Sequence, residues 1–285
     1  MGLYMKTSIK LLGLAALVGC LCYSDTQLHS TNYCVESPKI PDAFHGYKIL
    51  QLSDLHSKSF GENNRKLLQI VRHAAPDIIV ITGDMVNRFD SYFDGFYKLA
   101  KALALQYKVY YIVGNHEQRL SARNLKILFA KLTELGVTVL NNEKITLTKG
   151  KDTVHLYGLW CDLGYYKIDE AAKKHYYNKS MVENSLGVCD DGYNILLAHN
   201  PLLFSAYANW GADLTLSGHV HGGTVRLPLV GGLLSPERKF FPKYSAGEYR
   251  YKGKKLIVSR GLGDLRIGNP PEIPVITLCC PNVIK

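Results

Sequence analysis

Five short clusters of carboxylate, imidazole and amide side chains stand out along the chain. They are Asp54-Leu55-His56, Gly83-Asp84, Gly114-Asn115-His116-Glu117, His199-Asn200-Pro201 and Gly218-His219-Val220-His221-Gly222. In extended backbone, residues i and i+2 face the same way. Asp54 and His56 can therefore approach one ion together, and His219 and His221 a pair of ions. Carboxylate oxygen mixed with imidazole nitrogen, without a thiolate, suits Mn, Fe, Zn, Co or Ni in a working site rather than a structural zinc. So many histidines argue against an all-oxygen cage for Mg or Ca. Gly83, Gly114 and Gly218 let the backbone turn sharply and come close to a metal or substrate.

Each cluster sits at the end of an apolar run, and those runs must position it. Tyr47–Leu52, Asp77–Thr82, Val109–Val113, Asn194–Ala198 and Asp213–Ser217 read as buried strands, rich in Ile, Val and Leu. Further strands are expected at Val137–Leu140, Thr153–Leu159 and Leu256–Ser259. Helices are expected over Asn64–His73, Tyr92–Leu105 and from an N-cap at Ser121 to Leu135. Residues 165–190 are polar and rich in Tyr and Lys, and are expected to form a helix and a surface loop. The alternation is that of an α/β protein, in which ligands bind outside the carboxyl ends of strands.

The ordered series D-x-H, GD, GNHE, a lone strand-end His and GHxH resembles the calcineurin-like metallophosphoesterases over His45 to Ile276. Two later stretches look like the membrane-associated phosphodiesterase branch of that family. One is Gly222 to Tyr249, with Leu227-Pro228, Gly231-Gly232 and Phe241-Pro242-Lys243-Tyr244-Ser245. The other is Ser259-Arg260-Gly261-Leu262-Gly263 followed by Asn269-Pro270-Pro271-Glu272. The resemblance implies an α/β fold: a β-sandwich flanked by helices, with a dimetal site at the carboxyl ends of strands. Asp54, His56, Asp84 and His221 would hold one metal. Asp84, Asn115, His199 and His219 would hold the other, Asp84 bridging both, with Mn a suitable pair in vitro. His116 would face the phosphate beside Asn115 and help the leaving oxygen depart. The family often writes its second motif GDxxD, whereas this chain has Asn87 in the last place, which puts a supporting role in doubt rather than a ligand.

The implied reaction is hydrolysis of a phosphodiester or pyrophosphate by in-line attack of a hydroxide shared between the two metals. The implied substrate is small or lipid-linked, of the nucleotide-sugar-lipid type, at a membrane. Arg260, after a strand, can contact substrate phosphate or form an ordinary salt bridge. Glu117 can act in the site or cap the following turn. Cys161-Asp162 can line the cleft or pack. The group Tyr165, Tyr166, Tyr176 and Tyr177 reads as a solvated helix face, with contact to a lipid or sugar the other reading.

The whole chain bounds these readings. Its 285 residues, 47% hydrophobic, suffice for one large core, and a monomer is expected. Lys and Arg number 34 against 24 Asp and Glu, a surplus of +10 that suits nucleic acid, an anionic membrane or phosphorylated substrates. An exported nuclease or nucleotide phosphatase is the competing reading. A nuclease is disfavoured because no basic-aromatic array of the strand-binding kind is present. A metal-holding scaffold without turnover is disfavoured because every ligand position of the family is filled.

Residues 1–23 read as a signal peptide or membrane anchor, with Lys6 and Lys10 before the apolar Leu11–Val18. Leu17-Val18-Gly19-Cys20 resembles a lipobox ending at Cys20. Membrane association on the exported face is the expected localisation. Residues 24–44 are expected to be a linker and residues 45–285 the catalytic domain. The seven cysteines contain no CxxC pair, and no disulfide framework is expected, although one or two bridges are allowed.

Overall fold

A computed structural model describes Gly19 and residues 27–167, 177–227, 230–235, 239–264 and 266–283. Apart from Gly19, the expected leader, residues 1–23, lies outside the described residues, as do Tyr176 and Pro228. No helix among the described residues is long and apolar enough to cross a membrane.

Among the described residues, fourteen strands run in chain order: β1 His29–Glu36, β2 Lys48–Leu52, β3 Ile78–Ile81, β4 Lys108–Tyr111, β5 Val137–Val139, β6 Glu143–Lys149, β7 Asp152–Leu159, β8 Asn194–Ala198, β9 Leu214–Ser217, β10 Val225–Leu227, β11 Gly231–Leu234, β12 Gly247–Tyr251, β13 Lys254–Val258 and β14 Glu272–Cys279. The main helices are α1 Arg65–Ala74, α2 Asp94–Ala104, α3 Ala122–Glu134, α4 Lys179–Leu186 and α5 Phe204–Trp210. One six-stranded sheet has the order β1-β14-β2-β3-β4-β5, a second β12-β13-β9-β8-β7-β6, and β10-β11 is a separate hairpin. The protein is thus an α/β sandwich of two sheets with helices on the outer faces.

The period of two in each strand explains the layering. In β3, Ile78 and Val80 point into the space between the sheets, where they meet Ile195 and Leu197 of β8 and Leu214 and Leu216 of β9. Ile79 and Ile81 point the other way, onto Leu67 and Val71 of α1, Phe96 and Leu99 of α2 and Leu128 of α3. The second sheet is covered likewise, Leu196 and Ala198 packing under Val182 of α4 and Tyr207 of α5. Strands buried on both faces are apolar throughout, so β2, β3, β8 and β9 were readable as runs. The α3 start is as expected: the Ser121 hydroxyl accepts from the Asn124 amide.

The segment expected as a linker, residues 24–44, differs. From His29 it is β1, parallel to β14 from His29↔Glu272 to Glu36↔Cys279, and it carries a Cys34–Cys279 disulfide. β1 is an edge strand whose residues up to Cys34 are partly or fully exposed, so it lacks an apolar run. Only Val35 of β1 is buried, and Ile40 and Phe44 after it close the sandwich core. Of the stretch 165–190, the described residues hold the end of a short helical turn, Gly164–Lys167, and α4.

Candidate metal centre

β2, β3 and β4 run parallel in one sheet, and β8, β9 and β13 run parallel in the other. The loops after their last residues carry all five clusters and meet at one end of the sandwich. The local backbone is not the extended chain expected from the i, i+2 spacing. Asp54, His56, Asp84, His219 and His221 all have positive φ, between 49° and 74°. Left-handed turns wrap the chain around a common point, and short Asp and His side chains tolerate them better than branched ones. Such conformations cost roughly 1–3 kcal/mol each and gather where surrounding structure enforces them.

Glycines make the approach of these loops sterically workable. A Cβ on Gly114 would fall onto the Asp84 carboxylate, and one on Gly218 onto Ser53 and Asp54. A Cβ on Gly261, at φ +69, would lie 2.7 Å from Asp54 Cβ. The Ser259–Gly263 stretch therefore acts as a collar: the Leu262 amide donates to Ser53 O at 3.0 Å and the Gly263 amide to Asp54 O at 2.6 Å. Asn269 donates from Nδ2 to Gly223 O at 2.7 Å and also to His221 O, fixing the His221 loop.

Ligand-type atoms of Asp54, His56, Asp84 and His221 lie within 4.8 Å of one another, and so do those of Asp84, His199 and His219. Asp84 is common to both groups. His56 Nε2 faces His221 Nε2 at 3.1 Å, and His221 Nε2 lies 3.2 Å from Asp54 Oδ1. Main-chain amides hold the carboxylates: His219 N donates to Asp54 Oδ1 at 3.0 Å, and His116 N to Asp84 Oδ1 at 2.7 Å. His199 Nδ1 meets Thr82 O at 2.6 Å, which directs Nε2 toward Asp84 Oδ2, 3.3 Å away. That Nε2 and Asn115 Oδ1 are buried without a hydrogen-bond partner. Buried polar atoms are normally satisfied, so an Asn115 Oδ1 left unsatisfied on the Gly114-Asn115 loop, together with carboxylates and imidazoles converging on Asp84, fits a place for cations. The donor set, nitrogen and oxygen without sulfur, fits the metals named above.

The electrostatics follow from burial and proximity. Burial opposes ionisation of Asp84, but His199 beside it holds its carboxyl well below the usual range. Asp54 is likewise lowered, against the effect of burial, by His221 and then His199. Burial and the neighbouring His221 bring His56 down to about 4, which leaves a neutral ring at neutral pH. Burial would lower His199 too, but the Asp84 and Asp54 carboxylates outweigh it and push it up to about 10.

His116 lies edge-on to His56, ring centroids 4.5 Å apart, and its Nδ1 accepts from the Arg88 amide at 3.3 Å. Asn87, the departure from GDxxD, donates from Nδ2 to His56 O at 3.0 Å. Asn200 caps the turn after β8 through Leu202 N, and Tyr166 packs edge-on against His219, centroids 4.9 Å apart. Tyr166 and Tyr177 are therefore buried core residues rather than a solvated face, because α4 and α5 close over them. Cys161 packs in the same cluster. Arg260 takes the salt-bridge reading: its Nε lies 3.1 Å from Glu272 Oε2 and its Nη2 2.7 Å from His29 Nε2. Its guanidinium is thus held by β14 and β1.

Glu117 is the residue that sequence reasoning left open. It is fully buried, and its carboxylate accepts from Asp84 N and Gly114 N, both at 2.9 Å, and from Met85 N at 2.7 Å. One side chain thereby ties the Gly83-Asp84 loop to the Gly114-Asn115 loop. Burial and then the Asp84 charge push it up to about 7, partly offset by the Gly114 amide.

The comparisons with known proteins agree with this geometry. The family model for calcineurin-like phosphoesterases matches residues 47–223. The uncharacterized metallophosphoesterase YkuE of Bacillus subtilis is 28% identical over 264 residues, 90% of this chain and 87% of its own. YkoQ of the same organism, also an uncharacterized metallophosphoesterase, is 27% identical over 231 residues, 79% and 81% of the two chains. Phosphodiesterase YaeI of Escherichia coli is 27% identical over 242 residues, 81% and 82%. The chain belongs to the calcineurin-like phosphoesterase family and is a metal-dependent phosphoester hydrolase.

Proposed function

We propose that this calcineurin-like phosphoesterase cleaves a phosphodiester or pyrophosphate bond in a small or lipid-linked substrate of nucleotide-sugar-lipid type, on the exported side of a membrane. One observation carries the chemistry: two groups of ligand-type atoms, Asp54, His56, Asp84 and His221 in one and Asp84, His199 and His219 in the other, share the buried carboxylate of Asp84. Asp54, His56, Asp84 and His221 are the ligands for one cation, and Asp84, Asn115, His199 and His219 for the other. Bound there, two such cations supply Lewis acidity, neutralising phosphoryl charge and making water acidic enough to deprotonate near neutral pH.

The protein's own groups do the rest. The amides of His219 and His116 hold Asp54 and Asp84 in place, so the carboxylates need not reorganise. The Arg88 amide occupies His116 Nδ1, so in the neutral ring the proton sits on Nε2, ready to be donated toward a leaving oxygen. Asn115 and His116 also serve as the contacts for the phosphoryl group.

The diester preference draws support from the phosphodiesterase named among the relatives. Export draws support from the leader-like residues 1–23 and from the Cys34–Cys279 bridge, since such bonds persist in oxidising compartments. The test is an activity screen of the Mn²⁺-loaded protein on bis-p-nitrophenyl phosphate, p-nitrophenyl phosphate and a lipid-linked pyrophosphate in mixed micelles. Diester and pyrophosphate turnover should exceed monoester turnover, and Asp84→Ala should abolish both turnover and bound Mn²⁺. Near-normal turnover by Asp84→Ala would sink the two-cation reading, and a monoester preference would sink the substrate class.

A further inference from the structure

Asp54, Asp84 and His199 are sealed in, whereas the side chains of His56 and His221 keep 14% and 15% of their surface. The centre therefore opens on the side of these two histidines. Each of them is attached to a loop that presents large apolar side chains to solvent. Next to His221, Gly222 N donates to Ser245 O at 3.1 Å, and Arg226 Nη1 donates to Gly222 O at 3.1 Å. These bonds fasten the β10–β11 hairpin to the metal loop. The hairpin is extended by Phe240, which bridges to Leu234, and by Ile267, which bridges to Val225. Phe240 is 71% exposed and Phe241 65%, with Leu227, Val230 and Ile267 also open to solvent.

A second loop is fastened to His56 and His116: Asn87 holds the carbonyl of His56 and the Arg88 amide holds His116. The same loop exposes Phe89 by 82% and Tyr92 by 85%. The 87–92 loop leaves the carboxyl end of β3, and the hairpin continues the His219–Gly222 loop that leaves β9, so both start from the end of the sandwich that carries the centre. The other exposed large apolar residues, Leu105, Ile127, Val188 and Val283, belong to separate segments. Single exposed apolar residues are ordinary, but clustered ones beside an opening mark an interaction surface.

Charge identifies the occupant. Exposed Arg88, Lys239 and Lys243 are interleaved with the aromatic residues, Arg88 over the Phe89 ring at 4.6 Å and Lys243 over the Tyr244 ring at 5.1 Å. Among the described acids of these loops, Asp264 pairs with Lys58, Asp90 accepts from Asn87 and from the Ser57 hydroxyl, and Asp94 opens α2; in sequence, Glu237 is followed by Arg238 and Lys239, so the balance stays basic. Aromatic residues that enter the acyl boundary, with cations at the level of the headgroups, are the composition of an interfacial anchor. A second copy of the chain would bring the same cations face to face.

We propose that the loop 87–92 and the β10–β11 hairpin with Phe240 and Phe241 form a docking rim that seats the mouth of the metal centre on an anionic lipid surface. The inference rests on the membrane-substrate reading above for its purpose, but its observations are independent of residues 1–23.

The test uses the full chain carrying Phe241→Trp, read above the background of Trp160 and Trp210. With phosphatidylglycerol vesicles, the added indole should shift its emission to the blue and be quenched by brominated acyl chains, and phosphatidylcholine vesicles should produce much less. Phe240→Ser/Phe241→Ser in the full chain should weaken vesicle binding at least about tenfold and leave hydrolysis of soluble bis-p-nitrophenyl phosphate unchanged. An indole that stays solvent-exposed while the protein sediments with the vesicles would overturn the proposal, because the amino-terminal segment alone would then be the anchor. A blue shift without lipid, accompanied by dimerisation in sedimentation velocity, would overturn it in favour of self-association. Loss of soluble diester hydrolysis in the parent protein would instead count against the proposed function.

Discussion

Replacing Glu117 by Gln separates a positioning carboxylate from a metal ligand. Glu117 Oε2 accepts two amides, Asp84 N and Gly114 N, and Oε1 accepts Met85 N. Gln can keep its carbonyl on the first two, but its amide group then confronts the Met85 N–H donor to donor. The reverse orientation loses two bonds instead of one. One orphaned buried amide costs about 1–3 kcal/mol, and the two surviving bonds lose their charge assistance, so about 2–4 kcal/mol of stability should go. Glu117→Ala orphans all three amides and should cost more, moderated by water entering the space. Because Asp84 and Asn115 ride on the two loops, Mn²⁺ affinity should fall about 10–100-fold, as it does when groups that orient ligands are removed. Urea unfolding at constant m reads the stability change, and Mn²⁺ titration reads the affinity. A Glu117→Gln protein with wild-type midpoint and wild-type Mn²⁺ affinity would refute the reasoning. So would a Glu117→Ala protein no less stable than the Gln variant.

Two further outcomes are expected. His199 is raised above its unfolded value of 6.5, to about 10, by carboxylates that outweigh burial. In the metal-free protein that stabilisation is complete below pH 6.5 and is lost as pH rises through 10. A cation at Nε2 must displace the proton, so Mn²⁺ binding near pH 7.5 should release protons and tighten with pH. Calorimetry in buffers of different ionisation enthalpy reads the release, and His199→Ala should reduce it by about one proton per chain. Second, the Cys34–Cys279 bridge closes a separation of 245 residues, so Cys34→Ser should lower stability by several kcal/mol, with about 5 as the loop-entropy ceiling. Reductant should lower the urea midpoint of the parent protein toward that of the variant and leave the variant unmoved.

What the chain declares about itself and what it conceals divide along physical lines. The inner strands β2, β3, β8 and β9 are covered on both faces, so their sequences are apolar runs, and every polar cluster that ends one is conspicuous. The edge strands β1, β6 and β12 are half in water and show no such run. β14 is apolar, but Pro274 interrupts it and disguises a strand that lies between β1 and β2.

The same division holds inside the site. Ligand-type residues are legible because their chemistry is in their side chains and their spacing is local. Glu117, Asn269 and the Ser259–Gly263 stretch stand out in the sequence, but their roles do not, because what they touch is main chain, which carries no residue identity. The i, i+2 spacing led to the right residues by a geometry the backbone does not use: the left-handed turns at Asp54, His56, His219 and His221 achieve the convergence instead. Arg260 shows the converse. A cation after a strand at the active end left two readings open, and the salt bridge of one of them is present: Glu272, on β14, lies 3.1 Å away with a buried carboxylate. A local pattern can thus identify the groups able to do chemistry. Which of them are free to do it depends on partners that only the folded chain brings within reach.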